Sequence, residues 1–295
     1  MNTQQYERMA SGKGFVAALD QSGGSTPGAL KRYGIEPGSY SGDAEMFDLI
    51  HHFRTRIITS SAFSGEKILA AILFEQTMNR DIDDIDVPDL LWHVKGVVPI
   101  LKVDRGLRDP ADGVRLMKDL RGLDALLEQA LTKHVFGTKM RSLVQSANRA
   151  GVDAVLDQQF EIGVRILAAG LVPILEPEVD IKAPDKAEAE ALVTQGILAR
   201  LGSLPQGQRV MLKLTIPSQA NLYAELVEHP QVLRVVALSG GYSREEANRL
   251  LAQNHGVIAS FSRALTEGLR VDQSEAQFDA TLAASIGSIY EASIS

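Results

Sequence analysis

The feature that most restricts this chain is an eightfold recurrence, in which a short apolar run rich in β-branched residues ends in a polar or charged side chain and gives way to a helical stretch. The first four runs are GFVAALDQ ending at Asp20, ILAAILFEQ at Glu75, GVVPILKVD at Lys102, and HVFGTKMR at Lys139 and Arg141. The last four are LVPILEPEV at Glu176 and Glu178, RVMLKLTIP at Lys213, VLRVVALSGG at Ser239, and GVIASFSRAL at Ser262 and Arg263. Continuous apolar runs of this kind suit strands buried on both faces, as in a parallel sheet.

The intervening segments carry helical marks. Glu45, Met46, Leu49, Ile50, Phe53 and Ile57 recur at helical spacing, as do Val152, Val155, Leu156 and Phe160. Asp185 with Glu188, and Ser243 with Glu246, have the spacing of capping boxes. Alternating strand and helix implies α/β architecture, and eight units in 295 residues fit a single closed (β/α)8 TIM barrel spanning residues 1–295. A doubly wound open sheet is the alternative. Against it, SGGSTPG after the first strand lacks the GxGxxG spacing of a dinucleotide-binding turn.

In a barrel, the C-terminal ends of the strands open onto one mouth. The rule gathers Asp20, Glu75, Lys102, Lys139, Glu176, Lys213, Ser239 and Arg263 at one place. Any one buried lysine can be a structural ion pair, but three lysines among several carboxylates make a very polar layer for stability alone. A lysine amine attacks a ketone or aldehyde to give a Schiff base, which draws electrons from an adjacent carbon–carbon bond. Lys213, in an apolar strand with Lys139 across the barrel, is the expected nucleophile. Its dehydration and proton steps need an acid and base, and Glu176 on the neighbouring strand is the candidate. Asp20 is a second carboxylate placed to exchange a hydroxyl proton.

Leu238-Ser239-Gly240-Gly241 is a strand followed by a glycine turn into a helix that begins near Ser243. Backbone N–H groups there, with Arg263 from the eighth run, form a phosphate site.

The segments ALDQSGGS, ILKVDRG, GTKMRS, VPILEPEV, VMLKLTIP, LSGGYS and SFSRAL, in this order from the first run to the last, resemble class I fructose-bisphosphate aldolase in its bacterial form. The resemblance implies reversible cleavage of fructose 1,6-bisphosphate to dihydroxyacetone phosphate and glyceraldehyde 3-phosphate, in glycolysis and gluconeogenesis. It implies that Lys213 forms the Schiff base, that Glu176 is the main acid and base, and that Asp20 handles the hydroxyl at the bond being broken. Lys139 and Lys102 hold charge and position around the substrate, and Glu178 supports the lysine pair. Ser239, Gly240, Gly241 and Arg263 bind one phosphate, while Ser25 and Arg141 lie near the other phosphate or the hydroxyls. Lys31 and Arg32 match the family's basic residue in the first loop only loosely. Animal members end in a tyrosine on a mobile tail, whereas this chain ends YEASIS, so Tyr290 is assigned no such role. Members often assemble through their outer helices, which leaves room for a homo-oligomer. Other lysine-dependent barrel lyases, transaldolase-like or deoxyribose-phosphate-aldolase-like, and a non-catalytic binding barrel are the competing readings.

Composition narrows the alternatives. With 37 acidic against 30 basic side chains the net charge is −7, which argues against a nucleic-acid surface. Zero cysteines excludes disulfides and thiolate chemistry and suits the cytoplasm. No run has the length of a membrane helix or a signal-peptide core. His51 and His52 are adjacent and diverge on a helix, and His93, His134, His229 and His255 are scattered with no acid at ligand spacing. The expectation is therefore no metal and no cofactor. The acidic run DIDDIDVPD, Asp81 to Asp89, lacks the glycine and terminal glutamate of a calcium loop and is expected to be solvated, with Trp92 beside it a surface or interface anchor.

Overall fold

The computed structural model describes residues 2–295. All eight runs are strands: β1 Phe15–Leu19, β2 Ile68–Leu73, β3 Val98–Lys102, β4 Gly137–Val144, β5 Val172–Val179, β6 Val210–Thr215, β7 Val232–Leu238 and β8 Val257–Phe261. Each is hydrogen-bonded in parallel to the next, β8 returns to β1, and β3 pairs directly with β4, so the sheet closes as a (β/α)8 barrel.

Strand parity separates two apolar layers. Val16, Ala18, Ala70, Ile72, Val98, Ile100, Val172, Ile174, Met211 and Ile258 form one cluster, together with Met9 from the N-terminal helix Thr3–Ser11. These residues alternate with a larger cluster that packs between sheet and helices, including Phe15, Ala17, Leu19, Leu212 and Leu214. Successive strand side chains point to opposite faces, so the smaller cluster fills the barrel and the larger one lies outside it. Full burial of each such Val, Ile, Leu or Phe contributes about 1.5–3 kcal/mol. Continuing the inner parity toward the C-terminal ends brings Asp20 after Ala18, Lys102 after Ile100, Glu176 after Ile174 and Lys213 after Met211. The barrel interior is thus apolar below and charged above.

Helices follow where the spacing placed them, at Gly42–Thr59, Arg149–Ala168, Lys186–Leu201 and Arg244–Leu251, and a further helix spans Glu275–Ile294. Ser243 caps its helix by accepting from the N–H of Glu246 at 3.2 Å. Asp185 does not cap its own helix: its carboxylate instead accepts from the N–H of Ala147, joining the loops after β4 and β5. Between β2 and β3 a short hairpin (Asp81–Ile82 with Ile85–Asp86) leads into a π-helical turn, Leu90–Val94. Trp92 in that turn is half-buried, its covered part against the inner cluster beside Tyr6, where it helps close the bottom of the barrel.

No helix among the described residues is long and apolar enough to cross a membrane.

Candidate active site

Barrel closure pairs Lys102 of β3 with Lys139 of β4 as Cα partners. One step beyond the Leu175–Leu212 pair of β5 and β6 come Glu176 and Lys213. Two pairs of adjacent strands therefore deliver three cations and one anion to the C-terminal end of the barrel interior. Unneutralised, these charges would be costly, since Lys139, Lys213 and Glu176 are only 2%, 4% and 3% exposed. Their neutralisation is mutual. Glu176 places Oε2 2.9 Å from the Nζ of Lys139 and Oε1 3.1 Å from the Nζ of Lys213. Lys139 also meets Asp20 at 2.6 Å and Asp104 at 3.8 Å. Lys102 donates to the carboxylate and the carbonyl of Asp104, each at 2.7 Å.

These contacts set the protonation states. Burial alone would lower the pKa of Lys139, but Asp20, Glu176 and Asp104 together raise it well above the ordinary lysine value. Burial pushes the Asp20 carboxyl up, and Lys139, Lys213 and Lys102 overcome that effect, holding it well below the usual carboxylate range. Asp104 is lowered in the same way, against its burial, by Lys139 and Lys102. In the resting site at neutral pH, Lys139 is thus charged and Asp20 ionised.

A cavity of about 940 Å3 opens above this layer and is lined by Asp20, Ser25, Glu75, Lys102, Lys139, Arg141, Glu176, Glu178, Lys213, Ser239, Gly240 and Arg263, all expected at the mouth. Gly241 does not line it and lies just behind. Its φ of +120° is open only to glycine, and a Cβ there would sit 3.3 Å from the Arg263 guanidinium. Gly240, at φ +61°, would clash with Ile181 if it carried a side chain. The glycine pair therefore lets the arginine lie against the turn. Ser25 stands on the exposed turn Gly23–Ser25, its hydroxyl bonded to the backbone of Ser22.

Glu178 differs from expectation. It does not reach the lysines but pairs with Arg141 from β4, which raises the arginine's pKa despite its burial. The two stand on adjacent strands, where Leu143 pairs with Glu178 and Arg141 with Glu176.

Several groups had no distinguishing sequence signal. Asp104 follows β3 in ILKVDRG and looks like a loop acid, yet it neutralises two lysines. Ser260 of β8 lines the cavity, its hydroxyl buried and, among the described residues, without a hydrogen-bond partner. Of the two loosely placed basic residues, Lys31 pairs with Glu36 on the surface while Arg32 lines the cavity, its pKa lowered by burial and by Arg263. Arg54, from the helix Gly42–Thr59, is 1% exposed and donates to the Gln21 carbonyl and, at 2.7 Å, to the Thr77 hydroxyl. Gln21 in turn donates to the Ser262 hydroxyl at 2.7 Å, which links the loops after β1 and β8. Burial lowers the pKa of Arg54 to about 10, against the opposing pull of the Asp20 charge.

The histidines are also not all scattered. His93 and His134 converge on Asp89, at the opposite end of the barrel from the mouth. Tyr290 is far from the mouth as well. It lies in the C-terminal helix with its ring 5.8 Å from the ammonium of Lys67, just before the N-terminal end of β2.

Comparison with known proteins agrees with this geometry. The profile of the family described as "Fructose-bisphosphate aldolase class-I" matches residues 3–224. A protein of Synechocystis sp. named fructose-bisphosphate aldolase class 1 is 60% identical over 293 residues, covering 99% of this chain and 98% of the relative. One of the same name from Porphyromonas gingivalis is 57% identical over 294 residues, covering 100% of both chains. A solved fructose-bisphosphate aldolase from Plasmodium falciparum, in complex with TRAP and a small-molecule inhibitor, superposes with a TM-score of 0.75 at 21% identity, over 98% of this chain and 93% of the other, which speaks for the fold alone. Closed barrel, charged inner layer and full-length sequence identity lead to one conclusion: this chain belongs to the class-I fructose-bisphosphate aldolase family.

Proposed function

We propose that the mouth cavity cleaves fructose 1,6-bisphosphate reversibly to dihydroxyacetone phosphate and glyceraldehyde 3-phosphate, with Lys213 as the Schiff-base nucleophile. The observation that carries this reading is one buried carboxylate, Glu176, shared between Lys213 and a second lysine, Lys139, on the floor of the cavity.

Lys213 must lose a proton before its nitrogen can attack the substrate ketone. Glu176 Oε1, at 3.1 Å, is within reach to accept it. The same carboxyl then protonates the carbinolamine hydroxyl, which leaves as water and generates the iminium. Lys139, kept charged by its three carboxylate neighbours, holds Glu176 and Asp20 in place through these changes. Asp20 accepts the proton of the hydroxyl next to the scissile bond. As the carbon–carbon bond breaks, its electron pair passes to the iminium and leaves an enamine on Lys213. The aldehyde departs, the proton taken up by Asp20 is passed through water to the enamine carbon, and water hydrolyses the resulting iminium to release dihydroxyacetone phosphate and regenerate the lysine and the Asp20 carboxylate.

Binding falls to the rim. Ser239, Gly240 and Gly241 with Arg263 take one phosphate, with the Ser260 hydroxyl as an additional donor. Ser25, Arg32 and the Arg141–Glu178 pair face the rest of the sugar and the second phosphate. Lys102, anchored on Asp104, supplies charge beside the reacting carbons. Arg54 acts at one remove, fixing the Gln21 carbonyl next to Asp20. In this reading the enzyme works in glycolysis and gluconeogenesis, in the cytoplasm.

Reduction with borohydride in the presence of fructose 1,6-bisphosphate, followed by peptide mapping, tests the proposal. The expected result is a reduced three-carbon phosphate adduct on Lys213; an unmodified Lys213 peptide after complete turnover overturns it.

A further inference from the structure

We propose that Asp89, His93 and His134 form a divalent transition-metal site, suited to Zn2+, at the end of the barrel opposite the catalytic mouth. Among the described residues they are the one group of three His, Cys, Asp or Glu side chains whose ligand atoms all lie within 4.8 Å of one another. His134 Nδ1 is 2.8 Å and His93 Nε2 3.8 Å from the same oxygen, Asp89 Oδ1, and the two imidazole rings stand 6.0 Å apart at 81°. Tetrahedral zinc with nitrogen and oxygen bonds of about 2.0–2.2 Å places its ligand atoms about 3.3 Å apart. Small side-chain rotations bring all three groups to that spacing, and the exposed side of the cluster leaves room for water as the fourth ligand. Two imidazoles and one carboxylate are a borderline donor set that favours zinc, nickel or copper over magnesium or calcium.

The three ligands come from two segments that the fold holds rigidly. Asp89 and His93 flank one turn, since the π-helical stretch Leu90–Val94 begins directly after Asp89. Leu90 and Leu91 of that stretch are buried, and Trp92 packs on the barrel interior. His134, at φ +58°, ends the helix Leu123–Thr132 just before β4, and its carbonyl accepts from the Gln5 side chain of the N-terminal helix at 3.0 Å. The backbones of both histidines are thus held in place, while their rings, 60% and 59% exposed, stay open to an ion.

Charge favours a cation here. Asp89 closes the run Asp81 to Asp89, which carries five aspartates. The adjacent cation, Lys133, is neutralised by Asp86 at 2.6 Å. Neither the Schiff-base chemistry nor the phosphate sites use any of these residues. An ion here would join the Val87–Val94 segment to the turn before β4, and through Gln5 to the helix that closes the barrel floor.

The test uses the full chain without a histidine tag, stripped with a chelator and titrated with Zn2+ by calorimetry, and with Co2+ by the visible absorption of tetrahedral cobalt. The expected result is one equivalent bound and a rise in thermal midpoint with zinc. His93→Ala and His134→Ala should each weaken zinc binding by at least about tenfold, and the double variant should lose both the cobalt spectrum and the thermal shift while keeping wild-type turnover. His93→Gln serves where the alanine variant expresses poorly. Absence of stoichiometric binding, or binding undiminished in the double variant, overturns the proposal.

Discussion

Lys213 Nζ lies 3.1 Å from Glu176 Oε1, and the second oxygen of the same carboxylate is held by Lys139. Removing Lys213 therefore leaves Glu176 paired. Lys213→Met is expected to fold, with circular dichroism unchanged, and to lose adduct formation and at least about 10^4-fold in kcat, as removal of a covalent nucleophile does elsewhere. Residual turnover within tenfold of wild type would reassign the nucleophile.

Glu176→Gln keeps the shape but neither accepts nor returns a proton. A loss of about 10^2–10^4-fold in kcat with little change in KM is expected from steady-state kinetics, in line with general acid–base catalysis. A change confined to KM would make Glu176 a binding group.

Arg263 lies against Gly241, within 3.3 Å of where a Cβ would be. Arg263→Ala removes charged hydrogen bonds worth about 1.5–3 kcal/mol. KM for fructose 1,6-bisphosphate should rise about ten- to hundredfold, and inhibition by inorganic phosphate should weaken in parallel. Gly241→Ala strains the backbone and displaces the guanidinium, so it should raise KM in the same direction and cost about 1–3 kcal/mol of stability in urea unfolding. An unchanged KM in both variants would remove the phosphate from this turn.

The lysine–carboxylate network makes stability pH-dependent in a definite sense. Asp20 and Asp104 have depressed folded pKa values, so their contribution is present above the unfolded carboxylate value, about 3.9, and is lost as pH falls below it. Lys139 is raised, so its contribution is full below the unfolded value, about 10.4, and is lost as pH rises above it. Urea midpoints of the wild type should show no change from this network between about pH 5 and 9. Lys139→Met should cost about 3–5 kcal/mol near neutrality, because it leaves the Asp20 carboxylate buried without its 2.6 Å partner. Lys213 and Lys102 still lower the Asp20 carboxyl in the variant, but less than the full set does, so the variant should lose less stability than the wild type as pH falls below the unfolded carboxylate value.

Much of this was legible along the chain because strand periodicity is local. The apolar runs end where the barrel opens, and counting by two from Ile174 or Met211 reaches Glu176 and Lys213 without any coordinates. The glycine pair at 240 and 241 marks a turn for the same local reason, since glycine adopts positive φ without a steric cost. Which charges meet was less legible. Glu178 sits two residues after Glu176 and was expected to serve the same lysines, but closure of the sheet sets it beside Arg141. Asp104, in an ordinary loop, meets Lys102 two residues before it, and reaches Lys139 only because β3 closes on β4.

The same division applies at the barrel floor. Asp89 and His93 are neighbours in sequence, but His134 lies 45 residues beyond Asp89 and on another element. The sequence by itself determined the eight strands, the end of the barrel that carries the charge and the residue types available there, because each depends on period and side-chain chemistry within a few positions. Only the tertiary structure decided the pairings, because the distance between groups on different strands depends on how the sheet staggers as it closes.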